Sequence, residues 1–138
     1  MLSTISATLW NKGTIVATSG SLSLLGGDSG KWATGSFQGD GGTLLIDNDY
    51  ILDTGAKVLG GVEVTSWGTL TVLPGVTASF KGDNSVKYGG VLSGPGKIAV
   101  DAAGVLRLNS GASLSGLTVE NGGRLAVIGD SGLSLIHI

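Results

Sequence analysis

Cysteine is absent from this chain of 138 residues, which removes disulfides, thiol nucleophiles and cysteine-type zinc sites at once. Histidine occurs once, at His137, and proline twice. The abundant serines therefore find no histidine in the body of the sequence with which to form a nucleophile–base pair. Charge is thin as well. Eight basic and ten acidic residues leave a net charge of −2, and Lys12, Lys31, Lys57, Lys81, Lys87, Lys97, Arg107 and Arg124 are scattered singly. Without a basic patch to meet a phosphate backbone, no nucleic-acid partner is expected. No apolar run is long enough for a membrane span, and residues 1–9 have neither the basic start nor the apolar stretch of a signal peptide.

Glycine is what the chain has in excess, 26 of 138 residues against an average usage of ~7%. The scarcity of proline and the lack of a Gly-X-Y period exclude collagen. A hydrophobic share of 41% with only 13% charged residues excludes disorder, since disordered chains cannot bury enough apolar surface to offset their entropy. A helical reading also fails, because glycine interrupts every window in which apolar residues might recur at i, i+3, i+4 and i+7.

Short apolar alternations take the place of helices, each led by a glycine in the pattern Gly-x-[Leu/Ile]-x-[Val/Leu/Ile] of a half-buried strand. Allowing Leu at its fourth position, six segments fit: Gly20–Leu24, Gly42–Ile46, Gly68–Val72, Gly96–Val100, Gly104–Leu108 and Gly123–Val127. Their starts lie 22, 26, 28, 8 and 19 residues apart, which mixes an interval near one solenoid turn with one near a single strand and its bend. The expected fold is all-β: a single-stranded parallel β-helix, or solenoid, right-handed, of about six coils and with almost no helix. Inward positions are expected at Leu22, Leu24, Leu44, Ile46, Leu70, Val72, Ile98, Val100, Leu106, Leu108, Leu125 and Val127. The glycine pairs 26–27, 41–42, 60–61, 89–90 and 122–123 mark the sharpest bends, with Asp40, Asp83, Asn84, Asn109 and Asn121 as further turn residues. The rival, an antiparallel sandwich, would show more two-residue Asn-Gly or Asp-Gly turns.

The strings Asn11-Lys-Gly-Thr-Ile15, Trp67-Gly-Thr-Leu-Thr-Val72, Gly90-Val-Leu-Ser-Gly-Pro-Gly-Lys-Ile98 and Glu120-Asn-Gly-Gly-Arg-Leu125 give the chain a family likeness over roughly residues 10–130. It resembles the β-helical repeat regions of bacterial autotransporter passengers and filamentous-haemagglutinin-like adhesins. That resemblance implies an exported structural or adhesive scaffold, located outside the cell or on its surface. Its partner would be a host or environmental surface, carbohydrate included, met through a larger parent protein. The resemblance supplies no catalytic residue, and no cofactor or metal is expected.

The alternative is a carbohydrate-active β-helix, a polysaccharide lyase or glycoside hydrolase of tailspike type. Its candidate catalytic residues are Asp47, Asp49 and Asp53, whose shared parity would let two of them project from one strand face towards a sugar. The bland reading of Asp47-Asn-Asp49 is strand-ending turn chemistry. The same oxygens could ligate calcium, but the calcium β-roll repeat is absent and Gly26-Gly-Asp28 does not complete it. Gly94-Pro-Gly-Lys97 is read as a bend, since the phosphate-loop pattern is not met. Trp10, Trp32, Tyr50, Trp67 and Tyr88 form a candidate sugar-stacking platform. Thr69-Leu-Thr71 is a single Thr-x-Thr element, too few for an ice-binding array.

The end of the chain follows another grammar. Leu133-Ser-Leu-Ile-His-Ile138 is what one reading frame of a transposon mosaic-end sequencing adapter encodes. The expected organisation is a solenoid fragment of a longer protein over 1–132 and a non-native tail over 133–138.

Overall fold

The computed structural model of the protein describes residues 1–129 and the strand at 132–134. Of the expected tail, positions 133 and 134 fall in that strand, and His137 lies outside the described residues. The fold is a β-solenoid of about six turns with no helix among the described residues, as the glycine-led alternation predicts.

The first coil contributes β1 (Leu2–Ile5) and β2 (Thr14–Ala17), and the second β3 (Ser21–Leu24) and β4 (Ser36–Gly39). From the third coil on, every full turn has three strands. These are β5 (Thr43–Ile46), β6 (Asp49–Leu52) and β7 (Lys57–Val58), then β8 (Val62–Val64), β9 (Thr69–Val72) and β10 (Thr77–Phe80). The fifth coil holds β11 (Asp83–Val86), β12 (Val91–Ser93) and β13 (Lys97–Val100), and the sixth β14 (Val105–Leu108), β15 (Ser113–Ser115) and β16 (Thr118–Asn121). β17 (Arg124–Val127) and β18 (Gly132–Ser134) follow.

Like strands stack into three parallel sheets. Sheet A runs β1-β3-β5-β8-β11-β14-β17, sheet B β2-β4-β7-β10-β13-β16, and sheet C β6-β9-β12-β15-β18. Register partners in successive coils are 18 to 22 residues apart. The irregular intervals in the sequence now have a cause. Gly20 and Gly42 lead strands of sheet A, Gly68 one of sheet C, Gly96 one of sheet B, and Gly104 and Gly123 sheet A again. The 26- and 28-residue intervals are therefore one coil plus one side, and the 8-residue interval is one side alone.

Alternation within each strand sends every second side chain inward. Columns such as Leu44–Val62 and Leu70–Leu92–Leu114 form by register, and all five of these residues are buried. Phe37 and Tyr50 meet edge to face, ring centroids 6.1 Å apart. Nine of the twelve expected inward residues are buried, while Leu22 and Leu125 are partly buried against the core. Val127 departs from the expectation at 47% exposed. It lies in β17, the edge strand of sheet A, where no described strand stacks beyond it to cover the side chain.

Bends use glycine in two physically different ways. Gly41, Gly60, Gly61 and Gly89 have positive φ, as turns of that hand require. Gly122 and Gly123 do not; instead a Cβ on Gly123 would lie 2.2 Å from the Asp101 carbonyl oxygen of the coil above. Asp83 and Asn84, expected in a turn, belong to β11. Asn84 faces inward at the level of Leu106, and Asn121 closes β16.

Candidate functional site

Sheet C has no strand from the first two coils, and loops take its place there. Where β6 has no strand on its outer side, the segments 6–13 and 25–35 cross as loops. The open edge of β6 is still satisfied. Asp28, 4% exposed, accepts the Ile51 N–H at 2.7 Å through one carboxylate oxygen and the Gly30 N–H at 3.0 Å through the other. Ala33 then pairs with Leu52 as an isolated bridge, donating its N–H to the Ile51 carbonyl and accepting from Asp53 N–H, both at 2.8 Å. Gly27 N–H donates to the Tyr50 hydroxyl at 3.1 Å. Burial pushes the Tyr50 phenol pKa up, the Gly27 bond lowers it, and the nearby Asp28 and Asp47 charges raise it.

Over these loops lies a groove of about 380 Å³ lined by Trp10, Lys12, Gly30, Lys31, Trp32, Thr34 and Asp53. Its two indoles are related by the coil repeat. β2 and β4 pair with an offset of 22 residues, Thr14 with Ser36 and Ile15 with Phe37, and the same offset takes Trp10 to Trp32. Asn11 fixes this stack: its carbonyl accepts from Thr34 and Gly35 N–H, and its side-chain amide donates to the Ser36 carbonyl at 2.9 Å. Gly35 is required there, since a Cβ would sit 2.0 Å from the Gly13 carbonyl oxygen. The Lys12 and Lys31 ammonium groups stand 4.4 and 5.1 Å from the centroid of the Trp10 ring, within cation–π range.

The three candidate carboxylates are divided by this geometry. Asp47 is committed to structure, accepting hydrogen bonds from the Ser23 and Thr65 hydroxyls at its two oxygens and so joining three successive coils. Asp49 is exposed at the start of β6 and Asp53 follows its end. Both lie on the outward side, their backbones about 13 Å apart across four residues of extended chain. Asp53 also caps its own turn, accepting Thr54 N–H at 2.7 Å. Of the three, Asp53 alone lines the groove.

The expected aromatic platform is likewise divided. Trp10 and Trp32 share the groove, and Tyr50 is core at 1% exposure. Trp67 and Tyr88 are exposed on the turns that lead from sheet A to sheet C one coil apart. Sequence reading missed the Trp10–Trp32 pairing and both lysines beside it. The signal was present as Trp-x-x-Gly-Thr-Ile at 10–15 and Trp-x-x-Gly-Ser-Phe at 32–37, an internal repeat of one coil. On sheet C, the hydroxyls of Thr71 and Ser93 bond at 2.8 Å, and register continues that outward row to Ser115.

No group of three or more His, Asp or Glu residues among the described residues is placed to hold a metal ion, and no helix there is long and apolar enough to cross a membrane. Comparison with family models, with curated proteins and with solved structures gives no match. The fold itself suits either a scaffold or a carbohydrate-active β-helix.

Proposed function

We propose that the chain is a structural or adhesive scaffold segment of a large secreted or cell-surface bacterial protein. The observation that carries this reading is the stack of coils, in which inward apolar side chains continue in register from each coil to the next. A body built this way is quasi-one-dimensional, extends by ~4.8 Å per coil and gains stability with each neighbour. Length and stiffness are its natural products. The resemblance to autotransporter and haemagglutinin-like repeats points the same way, and it makes the partner a host or environmental surface reached through the parent protein.

Sequencing the native locus around this coding region, with antibody labelling of intact cells, tests the proposal. Further glycine-led coils, an export signal and surface labelling are expected. A short intracellular gene product with no added coils would overturn it.

One observation favours a second reading, a carbohydrate-active β-helix: Asp53 lies in the groove beside two tryptophans. Release of reducing ends or unsaturated products from polysaccharide, lost in Asp53→Asn, would establish that reading. Release that persists in Asp53→Asn, or no release at all, would dismiss it for this groove.

A further inference from the structure

The groove carries chemistry that a scaffold does not use. Trp10 and Trp32 are 55% and 45% exposed and, unlike the exposed Trp67 and Tyr88, line the same groove. They sit one coil apart, at the 22-residue offset that pairs β2 with β4. Neither Lys12 nor Lys31 has a carboxylate within ion-pair distance among the described residues. Their ammonium groups are held at the Trp10 ring instead, which leaves two cations facing a groove whose only acid is Asp53.

We propose that this groove binds an acidic saccharide, a glycan bearing uronic-acid carboxylates. Each lining group then has a counterpart. The apolar face of a pyranose ring stacks on the Trp32 indole, the sugar carboxylates pair with Lys12 and Lys31 at the Trp10 ring, and a sugar hydroxyl donates to Asp53. A volume of about 380 Å³ lies in the range of small-ligand sites. A neutral saccharide would leave both cations unused. Single-stranded nucleic acid also combines stacking with basic groups, but it needs a basic groove that tracks the backbone, and the chain offers none beyond the two lysines. The inference deepens the surface-attachment reading by naming what the surface would present, while its evidence is the groove alone.

Calorimetric titration of the intact chain with tetragalacturonate, with the neutral tetrasaccharide of galactose and with an oligothymidylate tests the proposal. Tetragalacturonate is expected to bind at least tenfold more tightly than the other two. Lys31→Gln and Lys12→Gln should each weaken uronide binding severalfold and leave neutral-sugar binding unchanged. Trp32→Ala should abolish binding of both sugars, with Trp10→Ala as a second variant and far-UV circular dichroism verifying the fold. Trp67→Ala, outside the groove, should bind like the parent. The proposal is overturned by no uronide binding at millimolar concentration, by equal affinity for the neutral sugar, by tighter binding of the oligothymidylate, or by Trp67→Ala matching Trp32→Ala. Each of these outcomes leaves the scaffold reading standing, because that reading is decided by the parent gene and cell-surface labelling.

Discussion

The Asp28 carboxylate accepts the backbone N–H of Ile51 at 2.7 Å across 23 residues of chain, and so stands in for the strand that the second coil lacks in sheet C. A buried amide without such a partner costs about 1–3 kcal/mol. Here a side chain supplies the acceptor, and a loop is freed to carry Lys31 and Trp32 across the surface.

Asp28→Ala should therefore destabilise the protein by about 2–3 kcal/mol, since both the Ile51 and Gly30 amides lose their acceptor. Asp28→Asn, which keeps one acceptor oxygen, should lose about half as much. Urea unfolding followed by circular dichroism reads both, and equal stability of Asp28→Ala and the parent would show that the capping bond contributes nothing.

Tyr50→Phe removes the acceptor for Gly27 N–H and should cost about 1 kcal/mol at neutral pH. The alkaline range gives a second readout. Burial raises the folded-state pKa of Tyr50 above its ordinary 10.0, so the unfolded chain releases the phenol proton first. The stability linked to this group is complete below about pH 10 and is lost as pH rises from there through the raised value. The stability difference between parent and Tyr50→Phe should shrink above pH 10, and a constant difference up to pH 11.5 would contradict the assignment.

Three glycine-to-alanine substitutions should separate the reasons for glycine. At Gly13 a Cβ meets nothing within 4 Å and φ is not positive, so Gly13→Ala should be neutral or stabilising by up to about 1 kcal/mol through the unfolded chain. Gly75 has open space but φ of +77°, and Gly75→Ala should cost about 1–2 kcal/mol in backbone strain. At Gly68 a Cβ would lie 1.9 Å from the Ile46 carbonyl oxygen, and Gly68→Ala should be the most damaging, above about 3 kcal/mol. Thermal melts that fail to give this order would refute the division.

Asn84 occupies an inward position whose register partner is Leu106, yet an apolar replacement should not help. Its carbonyl oxygen accepts from Gly60 N–H at 3.1 Å and Val62 N–H at 3.4 Å, and its amide donates to the Lys81 carbonyl at 2.9 Å. Asn84→Leu leaves these groups without partners beside a bend in which Gly60 and Gly61 both have positive φ. A loss of about 1–3 kcal/mol is expected in chemical denaturation, and a gain in stability would show that the core dominates at this position.

Much of the fold was legible because strand and bend chemistry is local. Leu70 and Val72 in Gly68–Val72, like Ile98 and Val100 in Gly96–Val100, alternate at period two, and each segment became a strand with those residues buried. The site was legible only in part. Asp47, Asp49 and Asp53 share parity along the chain, but parity carries no information about Ser23 and Thr65, which arrive from neighbouring coils to occupy Asp47. Asp28 read as an incomplete calcium-loop fragment, and only the open edge of β6 reveals it as a cap.

By itself the sequence determined the element type and the inward face, since a glycine-led alternation of β-branched and leucine side chains has one favourable way to hide its apolar half. It also carried the coil length, in the 22-residue recurrence of Trp-x-x-Gly. Tertiary structure decided which strands stack and where a sheet is interrupted. Those outcomes depend on how each coil meets the next, so the groove of Trp10, Trp32, Lys12 and Lys31 exists only once 22 residues of chain have closed a turn and brought the two indoles into one groove.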